Sequence, residues 1–320
     1  MQDTYGSPDV LKLGDIDQPV VGDGDVLVQV HAAGVDPGVW HFMTGLPYLV
    51  RIALGFRAPR SRVRGMALAG RVEAVGKDVT RFKPGDHVFG TCDGSFAEYA
   101  CAREDKLAPM PANLTFEQAA AVPISAVTAL HGLRDKGRVQ PGHKVLVIGA
   151  GGGVGTFAVQ LAVAFGAKVT GVCSTSKQDL VRSIGADDVI DYTRDDFADR
   201  ARDYDLILDT AGQRPLSSLR RALNRRGTLV IVGGEGGGRW LGGLGRQLGA
   251  LALSPFVRQR LLGLISIERS EDLQCLRELI EAGKVTPVID RTFPLSESAD
   301  AIRYLVEGHA RGKIVVSVPG

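Results

Sequence analysis

The chain has 320 residues, 44% hydrophobic and 23% charged, enough for a sizeable core with an ordinary solvated surface and consistent with two domains. Its 38 basic and 36 acidic side chains leave a net charge of +2, so bulk charge implies no nucleic-acid partner. The cysteines (Cys92, Cys101, Cys173, Cys275) form no CxxC pair, no apolar run approaches the roughly 18–20 residues of a bilayer span, and the opening MQDTYGSPDV is not a signal peptide; a reducing, cytoplasmic setting is expected.

Residues 1–120 read as β-rich. Residues 25–31 (DVLVQVH) alternate on a strand period, and 70–76, 87–90 and 95–102 are further short candidates, with Pro-Gly turn chemistry at 81–86 (RFKPGD). Short strands between Gly and Pro turns predict a barrel-like domain. Residues 114–121 switch to helical character, with Asn113 the expected cap and Glu117 near the first turn. A helix over 123–134 then leads to the Pro141-Gly142 turn.

From residue 144 the pattern is strand–helix repetition. Strands are expected at 144–148, 168–173, 188–190, 206–209, 228–232 and 262–267, with helices at 156–165, 177–184 and 216–223. This alternation predicts an α/β fold with a doubly wound parallel sheet. Residues 233–260 interrupt it with a Gly-rich run, after which Trp240, Leu244, Leu248 and Leu251 recur at helical spacing. That helix is expected to cover a pocket or an interface; a membrane surface is the alternative, because Arg239 and Arg246 flank it. The end of the chain reads as helix 271–282 with Gly283 as C-cap, strand 288–293, helix 296–307 and strand 313–318. The expected division is a discontinuous domain, 1–122 and 268–320, around an inserted domain, 123–267.

The stretch 144–155, KVLVIGAGGGVG, carries the first chemical signal. An apolar strand ends in a turn where five of the last seven residues are glycine, and an apolar helix follows. Such a turn lets a pyrophosphate approach backbone N–H groups at a helix N-terminus. Ala150 replaces the first Gly of GxGxxG, while Gly152 and Gly155 fill the others. Glycines serving only close packing are the alternative, discounted because the turn opens a repeated β/α unit. Cys173 stands 18 residues beyond Gly155, near where an acidic residue would hold a ribose 2′-hydroxyl, and the sequence there is Cys173-Ser174-Thr175-Ser176-Lys177. Hydroxyls and an ammonium suit a 2′-phosphate, which predicts NADPH rather than NADH; an exposed solvated loop is the alternative.

Several segments resemble the zinc-independent branch of the medium-chain dehydrogenase/reductase superfamily, near the quinone oxidoreductases. They are GVDPGVWHFMTG (34–45), RFKPGDHVFG (81–90), GSFAEY (94–99), VTAL (127–130), GAGGGVGTFAVQL (149–161), LVRSIGADDVIDY (180–192), DTAG (209–212) and GKIVV (312–316), in family order over nearly the whole chain. The resemblance implies a GroES-like catalytic domain built from both chain ends and a Rossmann domain binding NADPH. It implies Gly152, Gly153, Val154 and Gly155 at the pyrophosphate, Ser174 and Lys177 at the 2′-phosphate, and Tyr192 at the adenosine end. Thr128 and Gly233 would lie on the nicotinamide side, and Lys313 would approach the cofactor from the C-terminal segment. A homodimer through the sheet edge at 262–267 is also implied.

The departures from the pattern narrow the chemistry. Asp36 stands near the position of a zinc-ligating Cys, and Gly65-Met66-Ala67 where a His-Glu pair would be, so no catalytic zinc is expected; the four-cysteine structural lobe is missing too. Without a Lewis acid, hydride transfer to an electron-poor acceptor, a quinone or α,β-unsaturated carbonyl, is the expected reaction. Another small carbonyl or alcohol is one alternative; a weakly catalytic, structural or redox-responsive NADPH-binding protein is another. Asp36, His41 and Tyr48 are the candidates to hydrogen-bond or protonate a developing enolate. Their structural alternatives are a turn before Pro37, a satisfied histidine and a core tyrosine, with water as proton donor. Relatives open with a short strand that this sequence lacks, so either an edge strand is missing or the start is late.

Overall fold

The computed structural model describes residues 1–195, 200, 202–212, 214–233 and 238–319. The chain divides into two compact units, one of Met1–Val127, Ile267–Gly283 and Pro287–Gly320, the other of Thr128–Ser266 and Lys284–Thr286.

The first unit is built on β1 (Asp25–Val35), whose alternating valines are buried on one face. β1 pairs antiparallel along one side with β2 (Ala67–Val75). Along its other side β4 (Tyr99–Arg103) pairs with its first half and β13 (Lys313–Ser317) with its second. β3 (His87–Thr91), β5 (Leu107–Pro109) and β12 (Ile289–Pro294) complete a sheet of order β12-β13-β1-β2-β3-β5. Register shifts at Leu27/Val28 and Val30/Ala32 mark bulges, which bend a strand and increase its twist. Val26, Val28, Val30, Leu68, Val72, Val88 and Leu107 form the core within it.

The unit differs from expectation in three places. Pairing begins at Tyr99 rather than 95, because 94–96 is held elsewhere: the N–H groups of Gly94 and Phe96 donate to the carbonyls of Gly65 and Arg64. A helix, α1 (Pro37–Thr44), occupies part of the 34–45 motif, with Pro37 in its first turn and left-handed Gly45 (φ 62°) closing it, and a single turn, α2 (Arg51–Leu54), follows. The cap of α3 (Phe116–Ala120) is Thr115, not Asn113. Thr115 Oγ1 accepts from the Gln118 N–H and Gln118 Oε1 from the Thr115 N–H, a capping box, while Asn113 donates to the Ile280 carbonyl.

The second unit is a parallel sheet of order β11-β10-β9-β6-β7-β8. Its strands are β6 (Lys144–Ile148), β7 (Lys168–Cys173), β8 (Asp188–Asp191), β9 (Tyr204–Asp209), β10 (Leu223–Ile231) and β11 (Arg260–Gly263). β6 lies between β9 and β7, and chain order reverses there. In open α/β sheets that is where ligands bind, at the carboxyl ends of the strands. α5 (Gly153–Ala164) follows β6 with Phe157, Ala158, Val159 and Leu161 fully buried. The expected strand 262–267 lies instead at Arg260–Gly263, leaving Ile265 and Ile267 exposed. The helix Leu244–Leu253 forms as its periodicity predicts, but within this unit Leu248 and Leu251 are exposed and only Ala250 is buried. Among the described residues no helix is long and apolar enough to cross a membrane.

Candidate active site

The glycine turn after β6 is shaped by what its residues lack. Gly149 sits at φ 83°, in the left-handed region that favours glycine. A Cβ on Gly155 would stand 2.0 Å from the Gly149 carbonyl oxygen, so only glycine lets α5 start this close to the strand. Gly152 is the N-cap of α5 and offers no side-chain cap. The first N–H groups of the helix, on Gly153, Val154 and Gly155, therefore have no intrahelical acceptor, and the helix dipole is positive there. A Cβ on Gly152 would meet nothing closer than 3.4 Å. This open, donor-rich cradle fits a dinucleotide pyrophosphate.

The loop after β7 lies beside the cradle. Lys177 crosses Gly151 so closely that a Cβ there would fall 2.8 Å from Lys177 Cδ. Ser174 and Ser176 hydroxyls lie 3.4 Å apart. The residue that holds this loop was not anticipated: Asp191, at the end of β8. Its Oδ2 accepts from Thr175 Oγ1 and Gln178 Nε2, and its Oδ1 from the N–H and hydroxyl of Thr193. These hydrogen bonds, led by Thr175, hold its pKa at about 2. The four-bonded carboxylate is a loop lock, and the only sequence signal was an Asp one residue before Tyr192. Tyr192 is exposed, its N–H bonded to the Cys173 carbonyl. Burial first, then the nearby Asp191, raises the Cys173 thiol to about 11, so it is not a thiolate.

Across the switch point, Thr210 Oγ1 donates to the Ile148 carbonyl and would contact any Cβ on Gly149. Asp209, fully buried, accepts from the N–H groups of Ala211 and Gly212 and lies 2.6 Å from the Arg246 guanidinium. Arg246 also donates to the Arg214 carbonyl, so it anchors the Leu244–Leu253 helix to the sheet rather than facing a membrane. Gly233, after β10, is half-buried near the Thr210 carbonyl. Thr128 is half-buried on α4 (Pro123–Leu130).

In the first unit the structure joins two residues that are 277 positions apart. Lys313 Nζ, 2% exposed, pairs with Asp36 Oδ1 and donates to Ser125 Oγ and the Val35 carbonyl. Ser125 Oγ also donates to Asp36 Oδ1 at 2.8 Å, and Asp36 Oδ2 is buried without a partner among the described residues. The Asp36 carboxylate is thus a buried acceptor of hydrogen bonds from Lys313 and Ser125. Lys313 is likewise committed to Asp36. The residues do not fit a catalytic zinc either. A cation would meet the Lys313 ammonium, Met66 offers only a thioether and Ala67 offers nothing.

His41 is half-buried on α1, its Nδ1 2.7 Å from the Leu46 carbonyl. A carbonyl only accepts, so Nδ1 carries the proton and Nε2 of the neutral ring is the acceptor. The Tyr48 ring lies under the Arg51 guanidinium, which also stacks on Tyr5.

Comparisons with known proteins identify the family. A model described as "Alcohol dehydrogenase GroES-like domain" matches residues 22–112, and one described as "Zinc-binding dehydrogenase" matches 184–316. The chain is 34% identical to 2-methylene-furan-3-one reductase of Solanum lycopersicum, covering 98% of this chain and 76% of that one. It is 32% identical to quinone oxidoreductase of Homo sapiens, covering 98% and 95%. The solved quinone oxidoreductase of Coxiella burnetii superposes with a TM-score of 0.85 at 29% identity, over 99% of this chain and 98% of that one. The chain belongs to the medium-chain dehydrogenase/reductase superfamily, in its quinone oxidoreductase-like branch, and is an oxidoreductase that uses a nicotinamide cofactor.

Proposed function

We propose that the protein is an NADPH-dependent, zinc-free reductase of quinones or α,β-unsaturated carbonyls, acting as a cytoplasmic homodimer. The observation that carries the cofactor choice is Lys177 lying across Gly151, in a loop with no carboxylate at the end of β7. Asp191, at the end of β8, has both oxygens engaged by hydrogen-bond donors and is not free to hold a ribose hydroxyl. Bound NADPH supplies a hydride that, with one proton, saturates the acceptor's C=C bond or converts a quinone to its hydroquinone.

In this reading the second unit is the cofactor domain and the first the catalytic domain. The N–H groups of Gly153, Val154 and Gly155, with Gly152 leaving the approach open, bind the pyrophosphate. Ser174 and Lys177 hold the 2′-phosphate and Tyr192 the adenosine, while Thr128 and Gly233 border the nicotinamide. The Asp36–Lys313–Ser125 network fixes the wall that a metal occupies in other members. The Tyr48 hydroxyl and water are the direct proton sources; His41, whose Nε2 accepts in the neutral ring, donates only after taking up a proton. The edge strand β11 and the exposed Leu248 and Leu251 supply the homodimer surface.

NADPH oxidation with a panel of quinones and enones tests the reading. Preference for NADH, or an NADPH KM unchanged by Lys177→Ala, overturns the cofactor choice. Tight NADPH binding without turnover of any acceptor overturns the enzymatic reading. Unchanged turnover in both His41→Ala and Tyr48→Phe leaves water as the donor. A monomer by light scattering removes the dimer.

A further inference from the structure

Arg64 lies just before β2 and is 6% exposed. One of its amino groups donates to the Ser61 carbonyl, while its Nε is buried without a partner among the described residues. Among the described residues no carboxylate lies within ion-pair distance; Tyr5 and Asp93 act on it only through space. A buried guanidinium with an unmade hydrogen bond is costly, because it has lost water and received nothing equivalent. Burial lowers its pKa, but an arginine stays charged.

The side chain lines a cavity of about 190 Å³ in the first unit. Val39 and Phe42 of α1, together with Met66, supply apolar wall, Arg60 adds a second cation, and Asp93 is the one acidic lining residue. The cavity abuts the positions where metal-dependent relatives would hold their ligands, Gly65 and Met66. The surrounding segment 51–64, RIALGFRAPRSRVR, has five arginines and no acid. The volume is below the roughly 300–1,000 Å³ of pockets for drug-sized ligands, so a short acceptor fits. A planar carboxylate matches a guanidinium fork in charge and shape.

We propose that Arg64 recognises a carboxylate on the acceptor, so that the preferred substrates are short acidic enones. This rests on the reductase reading given above. The test compares 4-oxopent-2-enoate with neutral pent-3-en-2-one. For the wild type, kcat/KM favours the acid by about tenfold or more, the value of one charge-assisted hydrogen bond. Arg64→Gln removes that preference by raising KM for the acid, leaves KM for the ketone within about twofold, and Arg64→Lys restores part of it. A readout without turnover is calorimetric binding of the saturated acid, 4-oxopentanoate, against pentan-2-one, with tighter binding of the acid expected in the wild type and lost in Arg64→Gln. If that variant does not fold, the two wild-type comparisons decide. Equal kcat/KM for acid and ketone, or equal binding of their saturated forms, overturns the assignment and leaves the reductase reading standing. Selective binding of the acid with no NADPH oxidation by any enone or quinone supports the anion site and overturns the reductase reading.

Discussion

The glycine turn after β6 and the Asp36–Lys313 pair solve the problem of holding a rigid site by opposite means. The turn is local: Gly149, Gly151, Gly155 and Lys177 lie within one strand–turn–helix and the loop after the next strand. It works by missing side chains, and an added atom breaks it. The pair is assembled from residues 277 apart, puts two full charges out of water, and is broken by removing an atom. A cofactor cradle needs bare backbone, which short-range sequence supplies. A buried ion pair needs an opposite charge at a defined point, which only long-range folding supplies.

The sharpest break is Asp36→Ala, which strands the Lys313 ammonium in the core and should cost about 3–5 kcal/mol, read from the denaturant midpoint. Asp36→Leu with Lys313→Met removes both charges and should recover most of that loss. A double variant no better than the single one means the pair is not the source of the cost.

At the glycine turn, Gly155→Ala drives a methyl against the Gly149 carbonyl and should cost on the order of 2–3 kcal/mol along with cofactor binding. Gly152→Ala meets no atom within 3.4 Å, so it should leave the melting temperature nearly unchanged while weakening cofactor binding. Equal melting temperatures for the two variants refute the backbone-clearance account.

Lys177→Ala should raise the NADPH Kd about tenfold, as expected for one charge-assisted contact, and leave NADH within about twofold; titration of both cofactors checks this.

The smallest effect is expected at Asp191. Its pKa is about 2 when folded against an ordinary 3.8, so the unfolded chain takes up its proton first. The stabilisation is complete above the unfolded value and disappears as pH falls from about 4 towards 2. Asp191→Asn should flatten that limb of a melting-temperature profile between pH 5 and 2, and raise the NADPH Kd less than Lys177→Ala does. An acid limb identical to wild type removes the lock.

Much of this was legible in the residues. The β/α alternation marked all six strands of the parallel sheet, because periodicity and glycine punctuation act over a few residues. The misplaced features have local competitors. Thr115 outcompetes Asn113 as cap because Gln118 stands where a capping box needs it. The strand expected from 262 starts at 260, because parallel pairing with β10 decides which residues of an apolar run become strand. Residues 95–98 read as strand but form a bend, with the N–H groups of Gly94 to Phe96 held by the Gly65 and Arg64 carbonyls.

Short-range pattern specified the cofactor fold and the glycine turn that opens α5, because a strand, five glycines and a helix state their geometry within a dozen residues. It also removed the zinc ligands, since chemistry that no side chain carries cannot be supplied by folding. The partners of the remaining polar groups depend on long-range folding. Asp36 became the partner of Lys313, Arg246 an anchor on Asp209, Asp191 a loop lock, and Arg64 a buried cation facing a cavity. Charges act through space on whatever folding brings within a few ångströms, and no spacing along the chain encodes that distance.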